Sequence, residues 1–207
     1  MTTNAECGMR NAECGMERFH SEFRIPNSAF YRIRHTMFER LQNIKLLLLD
    51  VDGVMTDGRI IFDSNGIESK FFNVKDGHGI KLVQRAGIEV GIVSGRKSEV
   101  ATIRAAELGI VRVFQGAHDK LAVYREILED TRLTDAQVAF MGDDLIDVPV
   151  LRRVGFAAAP ADAVEEVLPH AHFVTRNRGG WGAVREVCDL ILKGQGAWER
   201  LTAKYLG

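Results

Sequence analysis

The sequence predicts an α/β protein built on a Rossmann-like, doubly wound parallel sheet. From Ile44 onward, short apolar segments alternate with longer segments whose apolar residues recur three and four positions apart, which is typical of strands alternating with helices. The run from Leu46 to Leu49 is apolar at every position, as expected of a strand covered on both faces. Strands that alternate with helices form parallel sheets with right-handed crossovers, so helices are expected on both faces.

The first predicted strand, 46–49, is followed by a break in the alternation that predicts a protruding β-hairpin over residues 58–74. Its turn is the pair Asn65-Gly66, which is a strong hairpin signal. The periodicity predicts further strands at 89–93, 111–114, 138–141, 155–158 and 172–174. It predicts helices at 97–108, 119–130, 146–154 and 183–192.

Length and composition restrict the class of protein. The 207 residues suit one domain with short appendages, and a net charge of -1 gives no reason to expect nucleic acid or an anionic membrane as a partner. No apolar run reaches the roughly 18 to 20 residues that cross a bilayer. The 3 cysteines, Cys7, Cys14 and Cys188, are too few and too irregular for a disulfide framework, which favours the reducing cytoplasm.

A short tandem duplication marks the N-terminal region. The segment 4–9 recurs at 11–16, and a repeat this short cannot form a solenoid. We therefore expect 1–36 to be a flexible extension, 37–194 to form the folded domain and 195–207 to form a C-terminal tail. A metal or redox site made from the two repeated cysteines is the less favoured alternative.

Chemically active side chains follow four of the predicted strands. Asp50 and Asp52 follow the first strand, Ser94 follows the second, Lys120 begins the helix after the third, and Asp143 follows the fourth. Because the carboxyl ends of strands in a doubly wound sheet can meet at one crevice, we expect these side chains to converge. An acid pair beside an apolar strand is costly unless a cation or a proton compensates it. The set therefore predicts a site for Mg²⁺ and a phosphoryl group.

Each of these residue types has a role in phosphoryl transfer. A carboxylate can attack phosphorus and form an aspartyl-phosphate, and Mg²⁺, which prefers oxygen ligands, can screen the two anions from each other. Ser94 can donate to a phosphoryl oxygen and Lys120 can neutralise its charge, which is the positioning and electrostatic help that a loose transition state needs. Asp52 can protonate the leaving oxygen and later deprotonate the attacking water.

Together these motifs resemble those of the haloacid dehalogenase superfamily. The resemblance lies in Asp50-Val51-Asp52-Gly53-Val54, Ser94, Lys120 and the segment 142–147. It implies that Asp50 is the nucleophile and Asp52 the general acid and base. It also implies that the carboxylates of Asp50 and Asp143 and the backbone carbonyl of Asp52 hold the magnesium ion. Asp144 and Asp147 would be supporting acids near the metal.

A narrower resemblance, over about residues 44–196, is to the 3-deoxy-D-manno-octulosonate 8-phosphate phosphatases. The segments that carry it are Asp57-Gly58, Asn65-Gly66, 72–77, 94–97, Gln115-Gly116, 142–150, Thr175-Arg176, Gly179-Gly180 and 182–190. This family implies a phosphoric monoester hydrolase of lipopolysaccharide precursor synthesis, without a cap domain. It also implies a homotetramer with the hairpins at its centre and the C-terminal tails reaching into neighbouring active sites.

The same resemblance implies which residues contact the sugar phosphate. They are Asp52, Asn73, Val74, Lys75, Asp76, Gly77, Lys81, Arg96, Arg104 and Lys120. A sugar acid with a carboxylate and a phosphate gives a reason for the cations among them. There are departures from the family pattern: Lys75 and Lys81 stand where arginine is common, and lysine cannot make the same bidentate fork. Trp181 stands where arginine is often found, which leaves the fine substrate preference and the role of the tail open.

Three other functions compete with this one. A related phosphatase for another sugar acid, such as a nonulosonate 9-phosphate, would share the phosphoryl-transfer motifs. A signalling receiver domain also uses acids, a hydroxyl and a lysine, but its phosphate-accepting aspartate ends the third strand, and residues 114–116 include no acid. A catalytically silent scaffold is disfavoured because the motif acids are intact.

Overall fold

The structure is a computed structural model that describes residues 37–206. It contains a six-stranded parallel sheet and a separate two-stranded antiparallel hairpin. In chain order the strands are β1 (Leu46–Leu49), β2 (Ile61–Phe62), β3 (Glu68–Ser69), β4 (Glu89–Ser94), β5 (Arg112–Gln115), β6 (Val138–Met141), β7 (Phe156–Ala159) and β8 (Phe173–Val174). The labelled helices are α1 (Val74–Arg85), α2 (Glu99–Glu107), α3 (Lys120–Thr131), α4 (Val148–Leu151), α5 (Ala183–Gly194) and α6 (Trp198–Leu206), and residues 37–42 are also helical.

The order of the sheet determines where ligands can bind. The strands lie side by side as β5-β4-β1-β6-β7-β8, an order in which the chain first builds outward in one direction and then returns to β1 to build in the other. Leu47 of β1 pairs in parallel with Val90 of β4 on one side and with Ala139 of β6 on the other. The crevice of such a sheet lies at this switch point, at the carboxyl ends of β1 and β6.

The leucine run forms the centre of the sheet, as predicted. All four residues of β1 are fully buried, and a buried leucine side chain contributes about 1.5 to 3 kcal/mol relative to an exposed one. One part of the core joins Leu46 and Leu48 to Tyr124 of α3 and Phe140 of β6, and α1 and α5 pack against each other elsewhere in the domain. The predicted fold class, a doubly wound parallel sheet with flanking helices, is confirmed.

The hairpin is small and its apolar side chains are exposed. Its turn is held by Asp63, whose Oδ1 accepts hydrogen bonds from the backbone N–H groups of Asn65 (2.9 Å) and Ile67 (2.8 Å). Four large apolar side chains of the hairpin segment are more than half exposed, and they are Ile60, Phe62, Ile67 and Phe71. Two-stranded hairpins are marginally stable on their own in water, so this one depends on contacts with the rest of the protein.

The chain around the hairpin differs in detail from the sequence prediction. The paired strands are shorter than the predicted span 58–74, and α1 already begins at Val74. The reason is Asn73, whose side chain accepts from the N–H of Lys75 at 2.8 Å and caps the helix. Between Asp52 and Ser94 the chain therefore holds only the hairpin and one helix, as expected of a protein without a cap domain.

Two further segments depart from expectation. The predicted helix 146–154 is a short 3₁₀ turn (Leu145–Asp147) followed by the single-turn α4. The predicted tail contains α6, where Tyr205 accepts a hydrogen bond from Arg85 at 3.3 Å and packs edge-on against His78.

Some expectations fall outside these observations. The predicted extension 1–36 lies outside the described residues and stays a prediction. Across residues 37–206 every helix is too short or too polar to cross a membrane.

Candidate active site

Three of the predicted residues meet at the switch point of the sheet. Asp50 follows β1, Asp143 follows β6, and Lys120 is the first residue of α3, which Asp119 caps. The Lys120 ammonium lies 3.0 Å from Asp50 Oδ2. Carboxylate oxygens of Asp50, Asp143 and Asp147 all lie within 4.8 Å of one another. The fold therefore brings together one buried cation and three carboxylates.

Asp147 is the most deeply buried member of this cluster. Its side chain is fully buried; Oδ1 accepts from Lys120 Nζ at 2.6 Å, and Oδ2 accepts from the N–H groups of Asp143 (2.9 Å) and Asp144 (3.2 Å). With both oxygens occupied, Asp147 fixes the loop that follows β6 and the end of the Lys120 side chain. The side chain of Asp144 points elsewhere and accepts from the N–H of Leu145.

The electrostatics of the cluster favour a bound cation. Burial, opposed by the positive charge of Lys120, raises the pKa of Asp50 above its ordinary value. Burial, together with the charges of Asp50 and Asp147, raises the pKa of Asp143 to about 8. For Lys120, burial favours the neutral form, but the carboxylates of Asp50 and Asp147 outweigh it and raise the pKa. The single positive charge of Lys120 therefore does not fully compensate the negative charges of the three carboxylates.

The Asp143 side chain is the best-placed group for such a cation. Its Oδ1 is buried and has no hydrogen-bond partner, and an unsatisfied buried carboxylate oxygen is costly. Its carboxylate lies against Gly53, where any side chain would clash with it. A hard, oxygen-binding dication such as Mg²⁺ fits these donors, because it prefers carboxylate oxygens and would supply the missing positive charge.

The second acid of the predicted pair faces a different set of partners. Asp52 Oδ1 is ion-paired with Lys70, and Asp52 Oδ2 lies 3.4 Å from the guanidinium of Arg96. Glu68 completes the group at 3.4 Å from Lys70 and 3.0 Å from Arg96. Asp50 and Asp52 are therefore unlike in their surroundings: one carboxylate belongs to the buried acid cluster and the other to a network of cations on the hairpin side.

Ser94 lies at the end of β4, as predicted, and is buried. Its backbone carbonyl accepts from the N–H of Ala117 at 3.0 Å, which ties the ends of β4 and β5 together. The side chain of Ile146, from the 3₁₀ turn after β6, lies beside the adjacent Gly95. Ser94 thus stands at the same edge of the sheet as Asp50 and Asp143.

The predicted sugar-contacting residues fall into several environments. Arg96 joins Asp52, whereas Arg104 lies on α2, 2.7 Å from Glu107 and over the ring of Phe72. A crevice of about 10 Å³ lies between α1 and α2, and its lining includes Asn73, Asp76, Gly77 and Arg104. Val74 and Lys75 are exposed, and Lys81 donates to the carbonyl of Leu108. The assignment of these residues to the substrate stays a prediction.

Two of these residues also organise the glycine-rich segment before α5. Asp76 accepts from the backbone N–H of Arg185 at 2.7 Å and of Gly182 at 3.3 Å. Asn73 donates to the carbonyl of Gly180 at 3.3 Å. The start of α1 therefore holds the segment 179–182 in place, a structural role that the sequence alone did not indicate.

Three further residues of this site, Lys70, Glu68 and Ser98, are not indicated by any motif in the sequence. Ser98 Oγ donates to Glu68 at 2.5 Å and caps α2. A signal was available in the alternation of side chains along a strand, which places Glu68 and Lys70 on the same face of the hairpin. What the sequence could not indicate is that this face turns towards Asp52.

Comparison with known proteins gives a consistent set of relatives. A family model described as haloacid dehalogenase-like hydrolase matches residues 97–186. The 3-deoxy-D-manno-octulosonate 8-phosphate phosphatase KdsC of Yersinia pestis is 49% identical over 176 residues, which is 85% of this chain and 94% of that protein.

Solved structures agree with this relationship. A 3-deoxy-D-manno-octulosonate 8-phosphate phosphatase from Moraxella catarrhalis, in complex with magnesium ion, phosphate ion and KDO, is 37% identical with a TM-score of 0.80, covering 82% of this chain and 97% of that one. The cobalt-bound form of the Haemophilus influenzae enzyme is 40% identical with a TM-score of 0.74, covering 77% of this chain and 93% of that one. The chain belongs to the 3-deoxy-D-manno-octulosonate 8-phosphate phosphatase family of haloacid dehalogenase-like hydrolases.

Proposed function

We propose that this chain is a phosphoric monoester hydrolase that converts 3-deoxy-D-manno-octulosonate 8-phosphate to the free sugar acid and phosphate. The observation that carries the proposal is its 49% identity to the Yersinia pestis phosphatase over 94% of that protein's length. The cluster of Asp50, Lys120, Asp143 and Asp147 supports it, because it offers the charges that phosphoryl transfer requires.

The residues of the chain divide the reaction between them. Asp50 attacks phosphorus, and the bond from phosphorus to the sugar oxygen breaks as an aspartyl-phosphate forms. Lys120, which lies 3.0 Å from Asp50, holds this nucleophile and neutralises charge on the transferring group. Asp52 gives a proton to the leaving oxygen and then takes one from the water that hydrolyses the aspartyl-phosphate. Ser94 donates a hydrogen bond to a phosphoryl oxygen.

The cofactor we propose is Mg²⁺. Asp50 and Asp143 would hold it with their carboxylates, and Asp52 with its backbone carbonyl. When bound, it would supply the positive charge that lets an anionic phosphate approach the anionic Asp50. Asp147 is less suited to be a ligand, because Lys120 and two backbone amides already occupy its oxygens; it would instead position Asp143 and Lys120.

We further propose a homotetramer whose subunits complete one another's sites. The exposed apolar side chains of the hairpin support this, since an exposed apolar patch of this kind favours association. In this proposal the hairpins associate at the centre and the C-terminal tails reach neighbouring active sites.

The setting we propose is lipopolysaccharide precursor synthesis in the cytoplasm. Within the described residues Cys188 is a buried free thiol, which suits a reducing compartment.

A substrate panel tests the proposed activity. Purified protein is given 3-deoxy-D-manno-octulosonate 8-phosphate, a nonulosonate 9-phosphate and simple hexose phosphates, and phosphate release is measured with Mg²⁺ and with EDTA. We expect the highest kcat/KM for the octulosonate and no turnover in EDTA. A preference of tenfold or more for the nonulosonate (about 1.4 kcal/mol in transition-state binding) would replace the proposed substrate, and full activity in EDTA would remove the proposed cofactor.

A further inference from the structure

The hairpin carries a buried lysine that the proposed reaction has not used. Lys70 follows β3, and its side chain is 1% exposed, although most of the hairpin is open to solvent. Its ammonium is ion-paired with Asp52 Oδ1 and lies 3.4 Å from Glu68 Oε1. Burying an ammonium costs free energy unless it is paired, so the buried position of the Lys70 side chain depends on its contact with Asp52.

Lys70 is itself fixed to the rigid end of the sheet. Its neighbour Glu68 accepts from Arg96 at 3.0 Å and from the Ser98 hydroxyl at 2.5 Å. Ser98 is the N-cap of α2, and Arg96 lies in the loop between β4 and that helix. Glu68 therefore connects the hairpin to the end of the parallel sheet at two points, which holds the Lys70 side chain close to Asp52.

The two oxygens of Asp52 are held unequally. Oδ1 has the close contact with Lys70, whereas Oδ2 lies 3.4 Å from Arg96, at the long limit of a hydrogen bond. Oδ1 is therefore the more tightly held oxygen, and Oδ2, with the weaker contact, is better able to exchange a proton with a reacting group. Because its side chain is almost fully buried, Lys70 has little surface with which to contact a substrate directly.

We propose that Lys70 is a positioning residue for Asp52, and that Glu68 positions Lys70. This inference rests on the proposed function. In it, Lys70 holds Oδ1 of Asp52 so that Oδ2 faces the reacting oxygens. In phosphoryl transfer the proton on Oδ2 goes to the sugar oxygen as its bond to phosphorus breaks. In the hydrolysis of the aspartyl-phosphate, Oδ2 takes a proton from the attacking water, which restores the starting state. The hairpin is thus part of the proton-transfer machinery.

The test compares substrates whose leaving groups differ in their need for a proton. An alkyl leaving group needs general-acid help, whereas p-nitrophenolate leaves readily without it. We expect Lys70→Met to lower kcat/KM for the sugar phosphate roughly ten- to a hundredfold, the cost of a misplaced catalytic group, with KM little changed. For p-nitrophenyl phosphate we expect a loss below about threefold, since general-acid catalysis is the contribution removed. The matched control is Lys45→Met, an exposed lysine just before β1, which should leave both substrates unaffected.

A second measurement asks whether Lys70 acts through Asp52. In an Asp52→Asn background, Lys70→Met should cause no further loss of kcat/KM, because residues that act through one group are non-additive. If Lys70→Met does not fold, Glu68→Gln takes its place and should show a smaller loss with the same dependence on the leaving group.

Two outcomes overturn the proposal while leaving the phosphatase function intact. One is an equal loss for both substrates, and the other is a full additional loss in the Asp52→Asn background. A wild-type chain that releases no phosphate from any substrate overturns the proposed function and, with it, this inference.

Discussion

Replacing Lys120 with methionine should destabilise the metal-free protein strongly. The Lys120 side chain is fully buried, with its ammonium 2.6 Å from Asp147 and 3.0 Å from Asp50. Methionine keeps most of the aliphatic length of the side chain but removes the ammonium, which lies 6.0 Å from the centroid of the Phe140 ring. Three carboxylates would then share a buried site with no cation in their cluster.

The size of this effect follows from the burial of the pair. Removing one partner of a buried ion pair costs about 3 to 5 kcal/mol, because the remaining charge is left uncompensated. In a domain of this size each kcal/mol lowers the melting temperature by about 2 to 4 °C, so the expected loss is about 6 to 20 °C. Mg²⁺ should recover part of the loss, because it can compensate Asp50 and Asp143.

The assay is thermal unfolding followed by circular dichroism, in EDTA and in excess Mg²⁺. It is best run above pH 8, since burial and the neighbouring acids raise the pKa of Asp143 to about 8 and it is then ionised. Lys45→Met is the matched control, because it removes the same charge from an exposed position, and it should change stability by less than about 0.5 kcal/mol.

Two results would refute the reasoning. The first is a loss below about 1 kcal/mol in EDTA, which is the contribution of an exposed ion pair. The second is a loss of the same size with and without Mg²⁺, which would mean that the acid cluster and the cation site are unconnected.

The remaining predictions concern the nucleophile, the cation, pH and the hairpin. Asp50→Asn should abolish phosphate release and the trapped phosphoenzyme while the fold is kept, and turnover within tenfold of wild type would contradict its role. Asp143→Asn should abolish the Mg²⁺-dependent rise in melting temperature, which for wild type is equivalent to about 2.7 kcal/mol at a hundredfold excess over Kd. Burial, and then the charges of Asp50 and Asp147, raise the folded-state pKa of Asp143, so the folded metal-free protein holds a proton that the unfolded chain releases. Wild type should therefore lose stability relative to Asp143→Asn as pH rises from about 4 to about 8, in EDTA and not in Mg²⁺, and a gain over this range would contradict the prediction. Phe62→Ser should shift the proposed tetramer towards smaller species in light scattering, whereas Val111→Ser, at an exposed position just before β5, should not.

The parts of the site that the sequence predicted are those that depend on strand ends. Asp50 and Asp143 follow apolar segments that could hardly be anything but buried parallel strands, so their convergence follows from the topology. Lys120 could be placed for the same reason, since it begins the helix after β5. In each case a short segment of sequence determines both the secondary structure and the position of the side chain at its end.

The parts that the sequence could not predict depend on contacts between distant segments. Lys70 belongs to a polar, turn-rich hairpin, and its burial requires Asp52, Glu68 and the loop after β4 to come together in three dimensions. The sequence around Asp147 fits a helix cap as well as it fits the hydrogen-bonding centre of the acid cluster, so it could not predict which role this residue has. Helix α6 is a different case, because Trp198, Leu201, Tyr205 and Leu206 recur at the spacing of one helical face and the sequence could have predicted it.

The small size of the hairpin also affects how the protein would lose activity on heating. Its two strands have two residues each, and short surface elements of this kind open locally well before a domain unfolds. The buried core of the sheet would then still be intact while Lys70 no longer reached Asp52. The temperature at which catalysis stops should therefore lie below the temperature at which the sheet melts, and contacts that cover the outer face of the hairpin should bring the two temperatures together.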